Sequence, residues 1–175
     1  MRPRRAVLLV CLAVLMMGLA LGPAAGGAAA KACPVVVVGT SNDAYPPFEI
    51  PNADGTESAG FDHDLVLAIA HRAGFRVEFR TFPWSYIVTR PGPWADCDMV
   101  AAAVTPWPPR RVFMRFSNLY FNEDPHGPLA FAFPKTREGA ALCAQVNAGL
   151  QEAKDDGTWA KLYLEWFGVP PTTIP

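Results

Sequence analysis

The sequence lacks the patterns that metal, phosphate and nucleic-acid sites usually require. It contains no Gly-rich phosphate loop, and its four cysteines and three histidines show no paired spacing of the kind that holds zinc. With 15 basic and 16 acidic residues, it has no basic excess that would favour a nucleic acid or an anionic membrane surface as partner. We therefore expect no cofactor, no metal and no nucleic-acid partner.

Catalytic motifs are missing as well. His63, His71 and His126 have no nearby nucleophile and no paired acid in a motif. Cys143 falls in an amphipathic helical stretch, where a cysteine is more typical of a core than of a nucleophile. The sequence thus predicts that the protein is not an enzyme.

Long apolar runs are absent beyond the first 30 residues. There, an Arg-rich start precedes an apolar run at 6–21 and a small-residue cleavage site at Ala28–Ala30. An uncleaved anchor is the alternative, although the run is short for the ~20 residues of a membrane helix. We expect residues 1–30 to be a signal peptide and the mature chain, 31–175, to lie in the periplasm or outside the cell. The leader holds three of the 15 basic residues and no acidic ones, so the mature net charge is −4.

Three cysteines remain after removal of the leader. Cys33 immediately precedes the β-branched run Val35–Val38, and Cys97 immediately precedes the apolar run Met99–Ala103. If these runs are neighbouring parallel strands, their amino ends lie side by side, within reach of a disulfide. Exported proteins meet an oxidising compartment, where thiols tend to pair. We expect a disulfide between Cys33 and Cys97, with Cys143 left over; three free buried cysteines are the alternative.

Strand and helix patterns alternate through the first half of the mature chain. A strand at Val35–Val38 is followed by a helical face that Gly74 ends, a second strand around Val77 and Phe79, a weak helical stretch and the Met99–Ala103 strand. This alternation implies a parallel sheet with right-handed crossovers. A further apolar strand and two helices then complete an α/β domain.

A proline-rich turn follows the strand that begins at Met99. Thr105 lies at the carboxyl end of that strand, and Arg110 lies in the first helical turn after three prolines. Ligands of open α/β sheets bind at that edge. A hydroxyl and the two-donor fork of an arginine can together hold a carboxylate. The alternative is a solvated basic turn made by Arg110 and Arg111.

Five short blocks occur in a fixed order along the mature chain. They are Gly39-Thr40 with Tyr45-Pro46-Pro47-Phe48; Gly60-Phe61-Asp62-His63-Asp64-Leu65 with Ala70 to Gly74; Pro83-Trp84; Asp98, Thr105 and Arg110 with Phe116-Ser117-Asn118-Leu119-Tyr120; and Val146 to Leu150, Asp156 to Trp159 and Glu165 to Gly168. Together they resemble the type 3 periplasmic solute-binding proteins, the polar amino-acid receptors of ABC importers. The resemblance implies a three-layer lobe of the type II periplasmic-binding fold, with a mostly parallel sheet flanked by helices.

One departure from the family concerns its second lobe. In the family, a whole second α/β lobe is inserted after the block that ends at Tyr120, whereas here a short link, 122–128, leads directly to the return strand at Leu129. The chain therefore resembles lobe one alone, built from segments 31–121 and 129–175. A single lobe offers one wall of contacts, so we expect weak affinity unless a partner chain or a second copy covers the exposed ligand face.

The resemblance implies ligand-binding roles for three residues on the segment that follows the Met99–Ala103 strand. It places Arg110 on the α-carboxylate of a ligand and gives Thr105 a hydroxyl or backbone contact. Ala103 aligns with a frequent contact position, and its side chain leaves only the backbone for that contact.

Five further residues complete the predicted ligand site. Tyr45 and Trp84 would enclose an apolar part of it, with core packing as the alternative for each. Asn42 or Asp43 falls near an acidic family position that holds a ligand cation, and the spacing does not choose between them. Trp107 stands where the family usually has a hydroxyl residue, so that it either widens the apolar contact or packs over the turn.

The function expected from this resemblance is recognition of an amino acid or similar small carboxylate, linked to ABC import. Its partners would be the importer's membrane subunits, another periplasmic protein or a second copy. One alternative is an accessory protein of the same fold, such as a partner of a periplasmic quinoprotein dehydrogenase. The other is a dehydratase-like enzyme related to these receptors.

Overall fold

The computed structural model describes residues 33–55 and 58–175, and the predicted signal peptide lies outside this part of the chain. Over the described residues, no helix is both long and apolar enough to cross a bilayer. The residues from Cys33 to Pro175 form one unit.

Seven strands and five helices make up the described structure. The strands are β1 (Val35–Ser41), β2 (Ile50–Pro51), β3 (Ser58–Ala59), β4 (Arg76–Phe82), β5 (Met99–Val100), β6 (Met114–Glu123) and β7 (Gly127–Pro134). The helices are α1 (Phe61–Ala73), α2 (Trp84–Val88), α3 (Pro108–Arg111), α4 (Arg137–Asp155) and α5 (Thr158–Phe167). The main sheet has the order β4-β1-β5-β7-β6, and β2 and β3 form a separate two-stranded sheet.

The main sheet is mixed, and one of its strands runs against the other four. β1 is parallel to β4 and to β5, whereas β7 is antiparallel to both β5 and β6. The predicted α/β fold with a mostly parallel sheet is therefore confirmed. Because the carboxyl ends of β4, β1 and β5 meet at one edge, the loops that follow them share that edge.

Two apolar layers cover the two faces of the sheet. Side chains of the run from Met99 to Val104 alternate between them, as a pleated chain requires. Met99, Ala101 and Ala103 join the larger cluster, which also holds buried apolar side chains from α1, α4 and α5. Val100, Ala102 and Val104 join the smaller cluster with Ile87 of α2. The lobe thus has three layers.

Helix α1 begins and ends at glycines that a side chain could not replace cheaply. Gly60 has φ 132°, and a Cβ on it would lie 2.1 Å from the carbonyl oxygen of Phe48. Gly74 adopts the left-handed conformation with φ 74°, and its N–H donates to the carbonyl of Ala70. The predicted stop at Gly74 is confirmed.

Strand β5 is shorter than the sequence predicts. The apolar run to Ala103 reads as strand throughout, but the ladder ends at Val100. Ala103 has φ 45°, and its N–H donates to the carboxylate of Asp62 over 2.7 Å. The run remains apolar because it is buried between two layers, and at Ala103 a side chain rather than a neighbouring strand accepts the backbone N–H.

The predicted link, 122–128, is a β-hairpin. The pairs Asn122–Pro128 and Glu123–Gly127 continue the β6–β7 ladder to its tip, so only residues 124–126 lie outside the strands.

The predicted Cys33–Cys97 disulfide is not formed, and the three described cysteines are free. β1 and β5 are parallel, as expected, but their register pairs Val38 with Met99. Cys97 therefore lies level with Val36, three residues along the strand from Cys33, which is a distance of about 10 Å. The exposed Cys33 instead donates to the carbonyl of Gly74, while Cys97 is buried.

Candidate functional site

A cavity of about 380 Å³ opens at the edge where the parallel strands end. Seven of the eight residues predicted for ligand binding line it: Asp43, Tyr45, Trp84, Ala103, Thr105, Trp107 and Arg110. Asn42, the eighth, is exposed and is not part of the lining. That these residues contact a ligand stays a prediction, but the fold brings seven of them together from the three segments that follow β1, β4 and β5.

Arg110 lies on the short helix α3, which two prolines start. Its Nη1 donates to the carbonyl oxygen of Thr105 over 3.0 Å. Its guanidinium carbon is 5.2 Å from the ring centre of Trp84 and 5.0 Å from that of Trp107. Partial burial lowers the pKa of Arg110, and a weakly solvated cation attracts an anion more strongly than an exposed one does.

Thr105 shapes the loop through its backbone. Its carbonyl oxygen accepts from the N–H of Trp107 as well as from Arg110. The carbonyl is therefore committed within the loop, and the hydroxyl is the group through which Thr105 could reach a ligand.

Ala103 offers a ligand less than the sequence implies. Its N–H is taken by Asp62, so that a backbone contact from this residue would use the carbonyl oxygen. Asp62 is 1% exposed, and the hydroxyl of Tyr120 also donates to it over 2.7 Å. Burial raises the pKa of Asp62 to about 7. Asp62 thus holds the floor of the cavity in place from below.

Tyr45 is fixed by the hairpin tip. Its hydroxyl is hydrogen-bonded to Nδ1 of His126 over 2.8 Å, and its ring stacks on Phe48 at a centroid distance of 5.6 Å. Its side chain is nevertheless 41% exposed. The ring therefore presents one open side at the mouth of the cavity.

Asp43 lines the cavity wall, whereas Asn42, the other candidate that the sequence left open, does not. Its Oδ2 accepts from the backbone N–H of Trp84 over 3.0 Å, at the start of α2. The same carboxylate that would meet a ligand cation therefore also positions Trp84.

The family assignment rests on a match along most of the described chain. The sequence model of the bacterial extracellular solute-binding proteins, family 3, matches residues 36–169. The chain belongs to this family.

Two curated relatives of this solute-binding chain are named for amino acids. The arginine-binding extracellular protein ArtP of Bacillus subtilis (strain 168) is 33% identical over 86 residues, 49% of this chain and 32% of that protein. The probable histidine-binding protein of Neisseria gonorrhoeae is 36% identical over 81 residues, 46% of this chain and 30% of that protein. The chain spans about a third of the length of these curated relatives.

A solved structure of a single domain is also similar to this solute-binding chain. It is the arginine-bound form of domain 1 from TmArgBP, with a TM-score of 0.57 and 26% identity over 67% of this chain and 92% of that chain. The relatives named here are solute-binding proteins, which agrees with the family.

Two residues of the site were missed in the sequence. Glu49 lines the cavity but is 2% exposed, and its Oε1 accepts from the N–H of Ser41 over 3.0 Å. Burial and the nearby Asp62 raise the pKa of Glu49 to about 9, so it is a neutral acid at pH 7. The sequence did carry a signal for Glu49, because an acidic residue there stands between the apolar Phe48 and Ile50. His126 gave no signal, since it lies in what reads as a polar link.

The described residues contain no group of three or more His, Cys, Asp or Glu side chains placed to hold a metal ion.

Proposed function

We propose that this protein binds a free α-amino acid, with Arg110 holding the α-carboxylate. The observation that carries the proposal is the position of Arg110, half-buried in a cavity at the carboxyl edge of a parallel sheet. A volume of about 380 Å³ suits a small molecule. Arg110 and Asp43 give the wall one group of each sign, as a zwitterion requires.

A cationic amino acid is the favoured ligand class. The names of the two curated relatives, an arginine-binding and a histidine-binding protein, support the same class. Arginine, histidine and lysine therefore lead the panel of candidate ligands.

One lobe is enough for binding in this proposal, although the affinity is low. The arginine-bound form of domain 1 from TmArgBP is a precedent for a single domain that holds an amino acid. With one wall of contacts and an open mouth, we expect a Kd on the order of 0.1 mM, or about −5.5 kcal/mol.

Calorimetric titration with a panel of amino acids tests the proposal. Arg110→Ala should abolish binding, and Arg110→Lys should weaken it because an ammonium cannot make a two-donor contact. Arg111→Ala is the matched control: it removes the same charge from the same helix, but Arg111 lies against Phe116 rather than in the cavity. The proposal would be refuted if the wild-type protein bound no amino acid at ten times the expected Kd, or if the Arg110→Ala variant bound as tightly as the wild type.

The proposal extends to export and import. The Arg-rich, apolar leader supports export, and the membership in an extracellular family supports a role with an ABC importer. Amino-terminal sequencing of the secreted protein should find Lys31 first. Loss of the gene should lower uptake of the labelled ligand by intact cells.

A second candidate is a docking role, which exposed aromatic side chains favour. Trp107 is 58% exposed and Tyr45 is 41% exposed on the open face. In this case the exposed aromatic side chains would be buried in an interface with a second copy or with another exported protein. Light scattering separates the two: a dimer that amino acids do not dissociate supports docking, and a monomer at high concentration contradicts self-association.

A further inference from the structure

Trp107 is an exposed indole, and so large an apolar side chain at the surface calls for an explanation. It precedes α3 directly, and 58% of its surface is accessible. Its ring contributes little to the core but lies 5.0 Å from the guanidinium carbon of Arg110. Trp84, on a different helix, lies 5.2 Å from the same atom. Two indoles from two elements thus meet on one cation, within the range of a cation–π interaction.

The loop that carries Trp107 is closed on itself. The N–H of Trp107 donates to the carbonyl of Thr105 over 2.8 Å, and the N–H of Arg110 donates to the carbonyl of Trp107 over 3.0 Å. Pro108 and Pro109 restrict the backbone between them. Because the guanidinium returns to Thr105 as well, both ends of the Arg110 side chain are tied to one rigid turn.

We propose that Trp84 and Trp107 are positioning residues that hold the guanidinium of Arg110 ready for a carboxylate. This inference rests on the proposed function. An arginine has five N–H donors, and the contact with Thr105 uses one of them. The rings restrain the fork and displace water from it, while its remaining donors stay directed along the plane of the guanidinium. The ordering of a long side chain is then complete before the ligand arrives, which lowers the cost of binding.

A positioning role of Trp107 has different consequences from a direct contact between Trp107 and the ligand. If the ring acts through Arg110, then the affinity should fall when the π-face of Trp107 is lost, and a loss of bulk alone should leave it unchanged. The loss of the π-face should also lower the affinity only for a ligand that engages Arg110. Both differences can be measured.

Calorimetric titration of Trp107 variants with arginine supplies the first test. Trp107→Ala should weaken binding about three- to tenfold, the effect of leaving one rotamer-rich side chain unrestrained. Trp107→Phe should restore most of the affinity, whereas Trp107→Leu, which keeps the apolar bulk, should not. Equal affinity of the Leu and Phe variants would overturn the inference.

Argininamide, which lacks the carboxylate anion, supplies the second test. It should bind weakly to wild-type protein and equally weakly to Trp107→Ala, since neither complex uses the restrained fork. A loss from Trp107→Ala of the same factor for arginine and argininamide would show that the ring contacts the ligand, and would overturn the inference.

A measurement without ligand tests the restraint itself. In ¹⁵N spectra the Nε–H signal of Arg110 should carry a ring-current shift, which Trp107→Leu reduces and which leaves the signal of Arg111 unchanged. Absence of the shift in wild-type protein overturns the inference even if arginine binds. Wild-type protein that binds no amino acid refutes the proposed function and this inference together, whereas arginine binding that is indifferent to Trp107 overturns this inference alone.

Discussion

The buried acid Glu49 makes the stability of the fold depend on pH in an uncommon direction. An unfolded glutamate ionises near its ordinary pKa of 4.5, whereas burial holds the pKa of Glu49 at about 9 in the folded protein. Above pH 4.5 the unfolded chain therefore releases a proton that the folded chain keeps. Since the folded pKa is the higher one, the stabilisation is fully present below pH 4.5 and is lost as pH rises towards 9.

The magnitude follows from one proton. A difference of one bound proton between the two states changes the free energy of unfolding by about 1.4 kcal/mol per pH unit. From pH 5.5 to pH 7, Glu49 alone should therefore remove about 2 kcal/mol of stability. Asp62, whose pKa is raised to about 7, acts in the same direction below neutrality.

Urea unfolding at pH 5.5, 6.5 and 7.5 measures this slope. Glu49→Gln should flatten it by up to about 1.4 kcal/mol per pH unit, because the amide does not titrate. Glu152→Gln, at an exposed position of α4, is the matched control and should leave the slope unchanged. A wild-type stability that is constant or rises over this range, or a Glu49→Gln slope equal to that of wild type, would refute the reasoning.

Three further predictions concern the backbone, the thiols and the hairpin tip. Gly60→Ala should destabilise the fold by about 3 kcal/mol or more, because a clash with Phe48 adds to a strained φ; Gly127→Ala, with φ 71° in open space, should cost only about 1–2 kcal/mol in the same urea assay, and equal costs would contradict this. A thiol reagent should label Cys33 in the native protein and Cys97 only after unfolding, and a mature chain with a single reactive thiol after unfolding would instead indicate a disulfide. His126→Ala should weaken amino-acid binding about threefold by releasing the Tyr45 hydroxyl, as measured by calorimetry, and unchanged affinity would show that the hydrogen bond does not order the site.

The local sequence was sufficient to predict the elements that form the cavity. The β-branched run after Val35 and the apolar run after Met99 are parallel neighbours, as predicted. Thr105 and Arg110 lie together at their carboxyl edge because a strand end and the following turn are close in sequence. Such short-range patterns fix which residues can meet at a sheet edge.

The features that could not be predicted from the sequence depend on strand register and on contacts between distant segments. A shift of three residues between β1 and β5 separates Cys33 from Cys97, and no local pattern encodes that shift. The carboxylate of Asp62 accepts from the N–H of Ala103, 41 residues away. His126 reaches Tyr45 across 81 residues, because the hairpin folds back over the cavity.

The hairpin tip at residues 124–126 makes the lobe a natural acceptor for an inserted domain. The pair Glu123–Gly127 places the end of β6 and the start of β7 one strand spacing apart, about 5 Å. Any domain whose own termini lie that close together can replace the turn without altering the register of a single strand. An insertion at this point is therefore a local event for the sheet, because the cavity edge is built by β4, β1 and β5, and the turn joins β6 to β7.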